Sequence, residues 1–211
     1  MVKIAASILA ADPLNLERDV RAAEKAGSDW IHVDVMDAHF VPNLAYTPEV
    51  VRRLKEITAL PLDVHLMMDH PETLMDMFLE AGADCLTVHE EIEADKSKLI
   101  ERIHERGRMA GLAIRPHTPA ENTLPYFGQA DLLLAMTVEP GFGGQKLDEH
   151  VIRKISRLRE LGYTGLIEAD GGISRDNLAE LAANGLSVAV MGTSLFHAED
   201  MADAIRYFHR I

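Results

Sequence analysis

The chain has 211 residues, 47% of them apolar and 26% charged, a composition suited to one α/β core. Its 34 acidic residues outnumber 21 basic ones for a formal charge of -13, which argues against nucleic acid or an anionic membrane as partner, since both need a basic footprint. No apolar run reaches membrane-spanning length, and the single cysteine, Cys85, cannot form an internal disulfide, so a reducing, cytoplasmic setting is expected.

In chain order, short apolar runs alternate with longer amphipathic stretches. The apolar start at Met1 reads as a first strand, Ile4–Leu9, and not as a leader, because Asp12-Pro13 interrupts it without a cleavage site. A helix over Leu16–Ala26 ends at Gly27, and Trp30–Val35 is the second strand. Pro48–Ile57 begins with proline in the first helical turn and leads to a third strand at Leu62–Met67. Helix Pro71–Ala81, strand Cys85–His89, helix Asp95–Arg106 and strand Met109–Ile114 follow. A shorter helix is expected at Pro119–Phe127. The remaining units are strand Leu132–Val138, helix Leu147–Leu161, strand Leu166–Ala169, helix Arg175–Ala183, strand Val188–Met191 and a closing helix, Ala198–Phe208. Eight apolar strands alternating with helices predict a TIM (β/α)8 barrel as one domain over residues 1–211, with a doubly wound open sheet as the alternative. Ala-Gly-Ser-Asp before the second strand, Ala-Gly-Ala-Asp before the fourth and Asn-Gly-Leu-Ser before the eighth repeat one helix-ending signal.

The second strand carries His32 and Asp34, and the third carries Asp63 and His65. Residues two apart on a strand share a face, so each pair is presented together. Imidazole and carboxylate inside apolar strands are costly to desolvate without a partner, and a divalent cation is one that satisfies both. Barrels collect functional groups at the carboxyl ends of their strands. There His32, Asp34, His65 and Asp170 can converge as two neutral nitrogens and two carboxylates. Such mixed ligation suits zinc, iron(II), manganese or cobalt better than magnesium or calcium. Asp63 lies deeper and reads as a polar group satisfied in the core. His89 ends the fourth strand beside the site, Asp37 and His39 fall in a solvated loop, and Cys85 reads as a small buried hydrophobe.

Glycine loops follow the last three strands: Pro140-Gly141-Phe142-Gly143-Gly144-Gln145, Asp170-Gly171-Gly172 and Gly192-Thr193-Ser194. Backbone N–H groups freed by glycine can cradle a phosphate, which lets an acidic protein hold an anion without a basic cluster. Lys146 reads as a surface lysine. Met36, Met67 and Met136 near strand ends read either as core filling or as a water-excluding lining.

Taken together, Ser7-Ile8-Leu9, Trp30 to Asp37, His39 to Asn43, Pro61 to Met67, Met136 to Gln145 and Asp170-Gly171-Gly172-Ile173 resemble the ribulose-phosphate 3-epimerase family over nearly the whole chain. The resemblance implies a homo-oligomeric, metal-dependent TIM barrel of carbohydrate metabolism that interconverts ribulose 5-phosphate and xylulose 5-phosphate, a step of the pentose phosphate pathway. It implies metal ligands at His32, Asp34, His65 and Asp170 and acid/base carboxylates at Asp34 and Asp170. It places substrate contacts at Ser7, His65, Gly141, Phe142, Gly143, Gly144, Gly171, Gly172, Gly192 and Thr193. Ala38 stands where the family usually has glycine, and Thr193 where serine is usual.

Epimerisation beside a carbonyl removes a proton from one face and delivers another to the opposite face, which calls for two carboxylates across the substrate plane. Gly192-Thr193-Ser194 also resembles allulose-6-phosphate 3-epimerases, so a longer ketose phosphate is the alternative substrate. A Schiff-base aldolase would need a buried lysine, which the predicted strands lack. A related decarboxylase would carry Asp-x-Lys-x-x-Asp, where this chain has Asp63, His65 and Met68. A non-catalytic sugar-phosphate-binding barrel would need the loops but not two opposed carboxylates.

Overall fold

Strand β1 (Lys3–Ser7) hydrogen-bonds to β2 (Trp30–Asp37) on one side and to β9 (Val188–Met191) on the other, and this double pairing closes the barrel. The ring continues through β8 (Leu166–Asp170), β7 (Leu132–Met136), β6 (Met109–Ile114), β5 (Cys85–His89) and β4 (Leu62–Met67) back to β2, all parallel. A two-residue strand, β3 (Leu44–Ala45), pairs antiparallel with the end of β2 outside the ring. This computed structural model describes residues 1–211. No helix is long and apolar enough to cross a membrane.

The helices are α1 (Leu16–Ala26), α2 (Pro48–Ile57), α3 (Met75–Ala81), α4 (Lys96–Glu105), α5 (His150–Glu160), α6 (Leu178–Ala183), α7 (Thr193–Phe196) and α8 (Met201–Phe208). Each buries one stripe, such as Val151, Ile155 and Leu158 of α5, against the outward-facing residues of the strands. Asp95 and Asp200 cap α4 and α8 by accepting backbone N–H bonds from Lys98 and Asp203.

The strand period sorts side chains between two cores. Ile31, Val33 and Val35 of β2 and Val64 and Leu66 of β4 face outward into the helix layer. Their neighbours face into the ring, where Ala5, Trp30, Cys85, Leu132 and Val188 form a separate apolar cluster. The same parity aims His32, Asp34, Asp63 and His65 inward.

The Ala-Gly-x-Asp repeat has a physical basis. Gly27 and Gly82 take the left-handed conformation at φ 102° and 111°, ending α1 and α3. The aspartate that follows then binds the neighbouring strand: Asp29 accepts from Ile4 N–H at 2.7 Å and Asp84 from Leu62 N–H at 2.9 Å. Asp131 does the same for Ala110 at 2.8 Å, so one loop chemistry stitches successive βα units together.

Local boundaries differ from the sequence expectation at several points. The first strand stops at Ser7, and Ile8–Ala10 is a 3-10 turn. Pro119–Phe127 forms a 3-10 segment, Ala120–Tyr126, and no α-helix, because Pro125 removes a backbone donor inside it. Pro71–Thr73 is likewise a 3-10 turn ahead of α3. The strand expected to reach Val138 ends at Met136, although Thr137 N–H still donates to the Asp170 carbonyl at 2.8 Å. Both β3 and α7 were absent from the expectation; neither is long enough to show a period.

Candidate active site

The carboxyl ends of β2, β4 and β8 bring His32, Asp34, His65 and Asp170 together, with one ligand atom from each lying within 4.8 Å of the others. Register produces this: Asp34 pairs with His65, and His32 with Asp63, across β2 and β4. Asp34 Oδ1 lies 3.3 Å from both His32 Nε2 and His65 Nδ1, while Asp170 Oδ2 lies 4.0 Å from His32 Nε2. Ser7 Oγ donates to the other oxygen, Asp34 Oδ2, at 3.0 Å.

A cation fits this donor set. His32 Nδ1 lies 2.6 Å from Asp63 Oδ2, which takes up that nitrogen. His32 Nε2 is left buried without a hydrogen-bond partner and directed at two carboxylates. A lone pair facing two anions is repulsive unless positive charge sits between them. Without that charge, protons take its place. Burial opposes charge on His32, but Asp63 and Asp34 outweigh it and raise its pKa well above the usual value. Burial likewise opposes charge on Asp34, yet His32 and His65 hold its carboxyl well below the usual range. Desolvation, helped by the charge on Asp34, pushes Asp170 up to about 6. The two carboxylates thus differ in proton affinity, Asp170 holding its proton the more tightly.

Below the cluster, Asp63 is fully buried; its Oδ2 meets His32 Nδ1, but its Oδ1 has no hydrogen-bond partner, so only one of its two oxygens is satisfied as a core group should be. Glu168 lies beside it, its pKa raised well above the ordinary carboxylate by burial and by Asp63. His89 is also fully buried, with Nε2 2.8 Å from His65 Nε2 and Nδ1 2.9 Å from Glu91 Oε2. Burial pushes His89 down to about 4. Glu91 falls to about 2 because its bonds to His89, Arg115 and Thr118 overcome desolvation.

Above the cluster opens a cavity of about 350 Å³. Asp34 and Asp170 form its floor with Ser7, and Met36, Met67 and Met136 form its apolar wall. Gly141, Phe142, Gly143, Gly144, Gly171, Gly172, Gly192 and Thr193 border it. His32 and His65 lie outside this wall, fully buried beneath it, so the expected substrate contact of His65 is not seen there. Lys146 is exposed and also off the wall, and His39 is exposed. Leu9, Glu139, Gln145, Ser174, Val190 and Ser194 also line the cavity; of these, Ser174 and Val190 fall outside every motif named in the sequence.

Close approach explains two of the glycines. A Cβ on Gly171 (φ 120°) would meet Val138 Cγ2 at 2.4 Å, and one on Gly172 (φ 64°) would meet the Leu147 backbone nitrogen at 2.4 Å. The loops after β7 and β8 therefore pack backbone against neighbour at the cavity rim. Asn43 joins the loop after β2 to the same rim by donating from Nδ2 to the Gly141 carbonyl at 2.7 Å. Ala38 in that loop adopts φ 66°, taking the left-handed conformation itself where a glycine was expected.

The ribulose-phosphate 3-epimerase family model matches residues 3–196. The chain belongs to that family. As a ribulose-phosphate 3-epimerase family member it is an enzyme of the isomerase class. It is 40% identical over 210 residues to the ribulose-phosphate 3-epimerase of Bacillus subtilis, covering 97% of each chain. It is 42% identical over 206 residues to that of Schizosaccharomyces pombe, covering 96% of this chain and 90% of the yeast protein. A chloroplastic ribulose-5-phosphate-3-epimerase of Arabidopsis thaliana is 41% identical over 209 residues, covering 96% of this chain and 74% of the plant protein. Among solved structures, a 3-hexulose-6-phosphate synthase superposes with TM-score 0.70 at 17% identity, covering 99% of this chain and 98% of its own. KGPDC from Streptococcus mutans gives 0.71 at 15% identity, covering 100% and 96%. At such identity these structures share the barrel with the epimerase family chain and nothing finer.

Proposed function

We propose that this enzyme interconverts D-ribulose 5-phosphate and D-xylulose 5-phosphate, one of Asp34 and Asp170 removing the C3 proton and the other delivering a proton to the opposite face. The observation that carries the reading is the meeting of these two carboxylates at the cavity floor from β2 and β8, three strands apart around the ring. Asp170, raised to about 6, holds a proton more readily than Asp34, whose carboxyl is held well below the usual range, so the two differ in proton affinity as an acid and a base must. Their roles exchange when the reaction runs backward.

Ser7, bonded to Asp34 Oδ2, holds that carboxylate in one orientation. The three methionines exclude water from the enediolate that forms when the C3 proton leaves. The glycine rims of the last three loops offer backbone N–H groups to the phosphate, consistent with the net acidity of the chain. One divalent cation (zinc, iron(II), manganese or cobalt) held by His32, Asp34, His65 and Asp170 would supply positive charge for the developing negative charge at C2 and C3.

The test is a parallel assay of ribulose 5-phosphate and allulose 6-phosphate, with chelator-treated protein and protein resupplied with each cation. Solvent hydrogen exchange at C3 is followed alongside epimerisation. Faster turnover of the pentulose, lost on chelation and restored by cation, is expected. Preference for the hexulose assigns the longer substrate, and binding without exchange assigns a carrier. Full activity after verified metal removal overturns the cation. The homo-oligomer and the cytoplasmic location belong to the same reading; sedimentation and cell fractionation test them.

A further inference from the structure

We propose that Glu91 and His89 are positioning residues that fix His65 in the tautomer whose Nδ1 lone pair faces the ligand cluster. This rests on the metal-centre reading above.

The chain of bonds starts in the loop after β5. Glu91 Oε1 accepts from the Arg115 backbone N–H at 2.7 Å and from the Thr118 hydroxyl. Its other oxygen, Oε2, lies 2.9 Å from His89 Nδ1 and can only accept, so His89 carries its proton there. His89 Nε2 is then an acceptor, 2.8 Å from His65 Nε2, which must donate. His65 Nδ1 is left bare, 3.3 Å from Asp34 Oδ1 and on the side of the cluster.

Without this relay the opposite tautomer would win. Asp34 is an anion within reach of His65 Nδ1, and a proton on that nitrogen would satisfy it. That proton would occupy the coordinating position. The relay supplies a competing acceptor behind the ring, in a site from which water is excluded because both imidazoles are fully buried.

The relay is also clamped. Phe40 packs on His89 with centroids 4.4 Å apart, and the Arg115 guanidinium sits 4.1 Å from the Phe40 ring centre. Arg115 thus holds Glu91 through its backbone and the covering aromatic through its side chain. Asp63 does for His32 in one bond what Glu91 does for His65 in two, and the two histidines present different nitrogens as a result.

Glu91→Gln discriminates this role from packing. The Arg115 N–H is an obligate donor, so the amide oxygen stays at that side and the amide NH₂ faces His89 Nδ1. The His89 proton is driven to Nε2, and that of His65 to Nδ1. Zinc and cobalt(II) affinity, measured by chelator competition on the full chain, is expected to fall about 10–100-fold in Glu91→Gln and in His89→Leu. His89→Gln, whose amide oxygen can still accept from His65, is expected to stay within a few-fold of wild type. In ¹⁵N spectra of the zinc-loaded protein, His89 should carry its proton on Nδ1 in wild type and on Nε2 in Glu91→Gln.

A wild-type His89 protonated on Nε2 overturns the proposal without any variant. Unchanged affinity in both Glu91→Gln and His89→Leu, with binding abolished by His65→Ala, also overturns it while leaving the metal centre standing. Wild-type protein that binds neither metal, or binding unaffected by His65→Ala, removes the metal centre and this proposal with it.

Discussion

His32 and Asp63 are register partners on β2 and β4, and the 2.6 Å contact between Nδ1 and Oδ2 decides which imidazole nitrogen faces Asp34 and Asp170. Both side chains point into the ring because inward positions alternate along each strand. Asp63, which the sequence places deeper in the barrel than the ligands, therefore acts from below. It turns His32 so that Nε2, the buried atom with no hydrogen-bond partner, faces the cluster.

Asp170→Asn keeps shape and removes a proton acceptor. At saturating cation, kcat is expected to fall by roughly 10²–10⁴-fold, the usual contribution of one acid/base group. The circular dichroism spectrum should stay that of wild type. A stopped-flow or coupled epimerisation assay checks this, and near-normal turnover would contradict the role of Asp170.

Ala38→Gly should stabilise the protein by about 0.5–1 kcal/mol. The φ of 66° strains any residue with a Cβ by roughly 1–2 kcal/mol, partly offset by the greater unfolded-state freedom of glycine. Urea unfolding of the two proteins measures the difference. A loss of stability would show that Ala38 sits without strain.

Gly171→Ala places a methyl 2.4 Å from Val138 Cγ2, a residue of the cavity wall, at a φ of 120°. A loss on the order of 1–3 kcal/mol in stability is expected from the backbone conformation. Displacement of Val138 into the cavity should raise KM about tenfold, equivalent to about 1.4 kcal/mol of binding. Steady-state kinetics and denaturant titration separate the two effects.

Acid sensitivity should be traceable to His89. Its folded pKa of about 4 lies below the ordinary 6.5 because burial disfavours the cation. Between those values the unfolded chain binds a proton that the folded protein refuses, so stability falls as pH drops from 6.5 to about 4. The loss attributable to this group is on the order of 3 kcal/mol. Glu91, held near 2 against an ordinary 4.5, extends the decline: its contribution is present above 4.5 and is lost as pH falls toward 2. Urea unfolding at pH 7, 5.5 and 4.5, wild type against His89→Gln, checks the slope; equal slopes would refute the assignment.

Much of the site was legible because its signals are local. His32 and Asp34, two apart on one apolar run, announce a shared inward face whatever the fold. The three glycine loops mark themselves by composition, and they do border one cavity. What escaped had no local signal. Ser174 is an ordinary loop serine until the barrel curves it onto the cavity wall. Glu91 reads as one acidic residue in a charged loop, Glu90-Glu91-Ile92-Glu93, and nothing there separates it from its neighbours.

By itself the sequence determined the alternation of strands and helices, and which residues of each strand face inward, because both follow from a period written along the chain. Only the tertiary structure decided the register of β2 against β4, which sets Asp34 beside His65 and His32 beside Asp63, and the reach of Glu91 through His89 to His65. Register and loop closure depend on how separate segments meet when the ring closes, and that balance of packing and hydrogen bonding belongs to the whole barrel and to no single stretch of it.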